Sequence, residues 1–341
     1  MQDTAVIRCL QRLASLRLTV FLLIMLAIGI LLALWGWGRF AVYVSIGLFL
    51  LAVNLLATVC VRPQLRCNRA LLVFHLALLA ILVLVAVGRL TYLKGQAEVL
   101  EGEAFEGHLV SADAGILHPW HLDRVRFVNQ GFSVAYAPGL KRQETRNQVF
   151  LPDAVGGDAQ QVIGDDKPLI LDGYRFYTTW NKGFALLFEW QPRVGEPTLG
   201  AVHLPSYPIN SLKQAQQWHL PGIREPVWAM LQFEGDLIPS DRDGHFRLPD
   251  DYQVVVRQGE QRWVLTPGQD QVIDLPGGQL RYHELRTWMG YMVTWDATIP
   301  WLLVASTLAV LALGWHFWQQ FSRRPWNPDG DDETEGRGAE E

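Results

Sequence analysis

RALLVFHLALLAILVLVAVGR, residues 69–89, is the stretch that decides how this chain is built. Between its two arginines lie nineteen residues with one polar side chain, His75. Nineteen residues rise about 28 Å as a helix, close to the ~30 Å hydrocarbon thickness of a bilayer. The stretch therefore predicts a transmembrane helix over 70–88. An ionisable side chain at membrane depth is uncommon and marks a functional site by default. Leu71, Leu72, Leu78, Leu79 and Leu82 share the face of His75 at helical spacing.

Working outward, three more apolar runs are long enough to span. Residues 18–38 follow a segment, 1–17, that carries Arg8, Arg12 and Arg17, and Trp35 and Trp37 close the run. That run is too long for a signal-peptide core. After Arg39 comes a second run, 40–61, ended by Pro63 in an arginine-rich loop. A fourth run, 297–321, has Trp295, Trp301, Trp315 and Trp318 towards its ends, with Arg323 and Arg324 behind it. Trp at run ends and Arg on one side are the marks of an aromatic belt and of the positive-inside rule. Four spans put residues 1–17, the 62–69 loop and Arg323/Arg324 all in the cytoplasm. Residues 92–296 then lie outside, in the periplasm if the membrane is a bacterial inner membrane, or in its equivalent. The tail, 322–341, is acidic and reads as a disordered cytoplasmic segment.

The outside segment reads as β-rich. Phe132, Val134 and Tyr136 share one face, as do Phe184, Leu186, Phe188 and Trp190, and Tyr252, Val254 and Val256. Turn signals at Asn129-Gln130-Gly131, Pro138-Gly139, Gly156-Gly157, Asp172-Gly173, Asn181-Lys182-Gly183 and Pro276-Gly277-Gly278 separate such runs. Period-2 alternation between frequent turns predicts an antiparallel sandwich or barrel-like domain, with a short helix possible at 212–218. The fold class is thus four transmembrane helices with a large β-rich domain between the third and the fourth.

Composition excludes several functions. No broad basic patch argues for nucleic acid. Cys9, Cys60 and Cys67 all precede the outside domain, which therefore uses no disulfide, and no CxxC or CxxCH occurs. No paired acid/base motif, GxSxG or P-loop is present, so no catalytic residue is assigned. Among the histidines, a neutral imidazole on an apolar helix is suited to ligate heme iron, which makes His75 the leading cofactor-binding and metal-ligating candidate. The other reading of His75 is a hydrogen bond to a neighbouring helix. His316, near the cytoplasmic end of the fourth run and at a depth resembling that of His75, is a weaker second candidate. Its neighbours Trp315, Phe317 and Trp318 equally suit an interfacial belt. His118-Pro119-Trp120-His121, with His108 nearby, lacks the acid or cysteine that would complete a metal site and reads as a loop of packing histidines. Trp288, Trp295 and Trp301 read as membrane-edge anchors, as do Arg89 and Lys94.

The order of these parts resembles a ResB-type cytochrome c biogenesis protein of the System II heme-attachment machinery. The resemblance is carried by LASLRLTVFLLIMLA (13–27), FHLALLAILVLVAVGRL (74–90), KGQAEVLEGE (94–103), KPLILDGYRFYTTWNKGF (167–184) and the closing stretch 288–326. Departures are a short outside domain, a weak match between residues 110 and 122, and Ser322 where histidine is expected. The resemblance implies an accessory rather than catalytic subunit that handles a transient b-type heme across the membrane. Its implied partners are a CcsA/ResC-type membrane protein with a tryptophan-rich heme motif, apocytochrome c, and a thiol-reducing protein. Two other classes fit the same sequence: a membrane b-type cytochrome transferring electrons through His75 and His316, and a heme-free scaffold or sensor.

Overall fold

The computed structural model describes residues 2–36, 40–152, 159–209 and 214–322. They form two compact units. One takes the residues up to Tyr92, Gly115–Leu117 and those from Ala297 onward; the other takes Leu93–Ala114 and His118–Asp296.

The first unit is helical: α1 (Gln2–Leu13), α2 (Leu16–Leu34), α3 (Phe40–Val61), α4 (Pro63–Cys67), α5 (Arg69–Thr91) and α6 (Ile299–Phe321). Of these, α2, α3, α5 and α6 are long and apolar enough to cross a membrane. The first stops four residues short of expectation, because Gly36 turns the chain at φ 83° just past Leu34. Trp37, Arg39, the Gly156-Gly157 turn, Arg323, Arg324 and the rest of the tail lie outside the described residues. The long helices are apolar all round, so they pack through small residues. Ala70, Ala77, Ala86 and Gly88 are buried on α5, and Ala305, Ala309 and Ala312 on α6. Polar groups among them find internal partners: the Ser45 hydroxyl donates to the Ala86 carbonyl at 3.0 Å, and the Thr19 hydroxyl to Asn54 Oδ1 at 2.8 Å.

The second unit is antiparallel throughout. Its strands are β1 (Leu93–Leu100), β2 (Ala104–Phe105), β3 (Ser111–Ala114), β4 (Phe127–Ala137), β5 (Lys141–Phe150), β6 (Gln160–Ile163), β7 (Leu169–Leu171) and β8 (Tyr174–Pro192). They continue with β9 (Thr198–His203), β10 (Ala215–Trp218), β11 (Val227–Gln232), β12 (Gly244–His245), β13 (Gln253–Gln258), β14 (Gln261–Leu265), β15 (Val272–Leu275) and β16 (Gly278–Trp295). The largest sheet runs β3-β1-β16-β8-β7, with β15 on β16 and β9 on β8; the others run β12-β4-β5-β6, with β2 on β4, and β10-β11-β13-β14.

The long strands β8 and β16 tie two cores together. Tyr174, Phe176, Met289, Tyr291 and Val293 join Phe127 and Val149 in one; Phe184, Leu186, Phe188 and Trp190 join Val227, Val254 and Val256 in the other. Three sequence expectations fail here for one reason. Asn129-Gln130-Gly131 and Asn181-Lys182-Gly183 are not turns, because β4 and β8 run through them; β4 absorbs its extra residues as a bulge, with Gly131 at φ 99°. The stretch expected as a helix at 212–218 is strand from Ala215 to Trp218, paired with β11, and Leu212 and Lys213 lie outside the described residues. In each case sheet pairing overrides the local signal.

Candidate functional site

His75 sits on the second turn of α5, half-buried. Its Nδ1–H donates to the Leu71 carbonyl at 2.7 Å. A carbonyl only accepts, so Nδ1 carries a hydrogen, and in the neutral ring this leaves the Nε2 lone pair free. Phe74 meets the imidazole edge-on at 5.3 Å between centroids. The helix start beneath it is fixed by Asn68, whose Oδ1 accepts from the Leu71 N–H at 3.2 Å.

His316 is placed differently. Its Nδ1 lies 3.2 Å from Asn68 Nδ2. An amide nitrogen only donates, so Nδ1 accepts and the ring's hydrogen sits on Nε2 in this arrangement. The contact ties His316 to the cap residue of α5. Both imidazoles thus bond near the start of α5, His75 to Leu71 and His316 to Asn68. An apolar groove of about 530 Å³ runs between α5 and α6, lined by Leu76, Ala77, Ala80 and Leu84 opposite Trp301 and Leu308. At 100° per residue, positions 77, 80 and 84 lie roughly opposite His75 on the helix, so this groove is not the imidazole's surround.

The β-rich unit carries the remaining histidines. His118 is buried, with Nε2 3.0 Å from the Tyr174 hydroxyl and its ring edge-on to Trp120 and Trp295. Tyr174 also accepts from the His121 N–H, so the His-Pro-Trp-His loop is a packing motif. Among the described residues no cluster of three or more His, Cys, Asp or Glu is placed to hold a metal ion. Trp288, expected at a membrane edge, is instead buried, with its indole N–H donating to the Leu204 carbonyl at 3.1 Å. His203 stacks on it and reaches Glu98 at 2.7 Å. Sequence reading had no means of finding this trio, because its members come from three distant strands.

Lys182 is almost fully enclosed, and burial, with the Arg142 charge nearby, lowers its ammonium to about 8 despite the opposing effect of Asp165. The Tyr291 hydroxyl donates to Asn147 Oδ1 at 2.7 Å, and Asn147 Nδ2 donates to Asn129 Oδ1 at 2.7 Å. Burial holds the Tyr291 hydroxyl well above the usual tyrosine range. This network braces the sheets and leaves no group facing a ligand.

Compared with known proteins, residues 68–196 match the model of the ResB-like family. The matched segment opens at the Asn68 cap and includes His75 and Glu98. No curated protein matches the chain.

Proposed function

We propose, taking the ResB-like match as premise, that this chain is a membrane subunit for c-type cytochrome biogenesis and that His75 is an axial ligand of the heme it handles. The observation that carries the reading is the His75 tautomer. A backbone carbonyl on Nδ1 leaves Nε2 as a ligating lone pair, the arrangement by which proteins orient metal-bound histidines. The half-buried ring among leucines fits a b-type heme, which needs an apolar surround and an axial nitrogen. When bound, heme supplies the iron and the vinyl groups to which cytochrome thiols are joined. The chain's own residues orient the imidazole through Leu71 and keep water from it through the leucine face.

The family resemblance gives the second axial nitrogen to a CcsA/ResC-type partner rather than to His316. The positive-inside rule puts the N-terminus and the α4 loop in the cytoplasm of an inner-membrane protein and the β-rich unit in the periplasm. There the unit would meet apocytochrome c, whose thiols a reducing protein keeps free. His75→Ala, purified with its partner, is expected to lose most of its heme and its low-spin spectrum. Unchanged heme content and spectrum would refute the assignment. Deleting the gene is expected to abolish covalent heme staining of membranes; intact staining would end the biogenesis reading.

A further inference from the structure

Gly115–Leu117 lie deep inside the segment expected outside the membrane, yet they belong to the helical unit. β3 ends just before them at Ala114, opposite Leu93, the first residue of β1. The Gly115 N–H donates to the Tyr92 carbonyl at 2.9 Å, and the Leu117 N–H to the Leu90 carbonyl at 2.8 Å. Position 115 has no room for a side chain: a Cβ there would stand 2.1 Å from the Leu90 oxygen and 2.7 Å from the Thr91 nitrogen. The Leu90 carbonyl is one of the four that a helix end leaves without an intrahelical partner, so this hook of chain also caps α5. Its two aliphatic side chains stay uncovered: Ile116 is 54 % exposed and Leu117 61 %.

Exposed aliphatic side chains are ordinary on a protein surface. Here, however, backbone bonds lock them to the last turn of a helix long and apolar enough to cross a membrane. That helix ends at Thr91, and its end sets the level of the lipid–water boundary. The Leu117 bond falls on Leu90, within the helix and not beyond it. The same end carries groups suited to headgroups. Arg89 lies over the Phe40 ring at 5.7 Å and over the Tyr92 ring at 5.9 Å. His316, late in α6, meets Asn68 at the start of α5, so α6 runs antiparallel to α5 and its exposed Trp301 stands at the rim beside the end of α5. Water at this level would leave Ile116 and Leu117 wetted, whereas lipid would bury them. The N–H groups of Gly115 and Leu117 are already bonded, which lowers the cost of that depth. We infer that Gly115-Ile116-Leu117 is a membrane anchor, seating its two aliphatic side chains in the lipid at the headgroup–acyl boundary beside the end of α5. The occupant is a lipid surface because α5 itself fixes the level of the hook. The inference rests on reading the apolar helices as membrane spans, and it brings part of the segment 92–296 back to the bilayer.

The test uses the full-length chain in phospholipid nanodiscs, with Cys9, Cys60 and Cys67 replaced by serine and a single cysteine added to carry a nitroxide label. Ile116→Cys and Leu117→Cys are read against two controls, Val83→Cys, exposed on α5, and Val194→Cys, exposed on the β-rich unit. Collisions of the label with oxygen, which concentrates in lipid, are compared with those of a water-soluble nickel chelate. The oxygen-to-nickel ratio at 116 or 117 is expected to lie several-fold above that at 194 and below that at 83. Ratios at both positions equal to that at 194 overturn the inference. Shielding from both reagents also overturns it, since the cover would then be protein. Should one labelled variant fail to fold, the other position decides. Adding Gly115→Val should unseat the hook and bring the ratios at 116 and 117 down to the value at 194, with the ratio at 83 unchanged. Ratios at 116 and 117 that Gly115→Val leaves unmoved would overturn the part given to the hook. An aqueous ratio at 83 as well would sink the membrane reading and the anchor with it. A lipid ratio at 83 with aqueous ratios at 116 and 117 would sink the anchor alone.

Discussion

Lys182 shows how far a single residue can depart from its sequence signal. Asn-Lys-Gly reads as a solvated turn, yet the lysine is about 1 % exposed inside the β-rich unit. Its folded pKa of about 8 lies below the ordinary 10.5. Between those values the unfolded chain binds more protons than the folded one, so stability rises with pH across that window. Below about 8 both states are protonated and the slope vanishes. The Tyr136 hydroxyl, raised by burial from 10.0 to about 12, opposes this slope above pH 10, where only the unfolded chain loses the tyrosine proton, so the lysine's effect is read between about 8 and 10. Lys182→Met is expected to flatten the slope and to stabilise the folded state at pH 7 by on the order of 3 kcal/mol. Thermal unfolding at a series of pH values checks this; parallel wild-type and variant curves would contradict it. His75 is the opposite case. Its type, spacing and apolar setting were all legible, and the structure adds only the tautomer.

At the scale of elements, two of the long helices were legible almost to the residue, since α3 spans the expected 40–61 and α5 contains the expected 70–88. Strand existence was legible too, through alternation at Phe184–Trp190 and Tyr252–Val256. Strand length was not. β8 and β16 run 19 and 18 residues and pass through two cores, with register shifts at Tyr282/Glu284 and Met289/Tyr291. A bulge costs little local signal but redirects every side chain after it, so turn residues inside a long strand are misread as its end. The buried Tyr291–Asn147–Asn129 chain holds β16, β5 and β4 in that register. Tyr291→Phe removes the donor to a buried carbonyl oxygen and is expected to cost about 1–3 kcal/mol, read as a lower Tm of the full-length protein. An unchanged Tm would mean the network is not under load.

For the whole molecule, the orientation proposed from arginine placement has a built-in reporter. Cys67, on α4, is free and exposed. In a chain with Cys9 and Cys60 replaced by serine, a membrane-impermeant maleimide should label Cys67 in inside-out vesicles and not in intact spheroplasts. Labelling from the outside would invert the topology and move the β-rich unit to the cytoplasm, where c-type heme attachment does not fit.

The sequence by itself determined the four apolar helices, the β-rich character of the segment between the last two, and His75 as the residue to explain. Those features are local: a period, a run length and one polar side chain in nineteen are each read within a few turns of chain. Only the tertiary structure decided that Asn68 occupies His316, that Lys182 is buried, and that Glu98, His203 and Trp288 meet. Each of these depends on which strands or helices become neighbours. That pairing is set by summed burial over whole sheets and helix faces, and no window of sequence contains it.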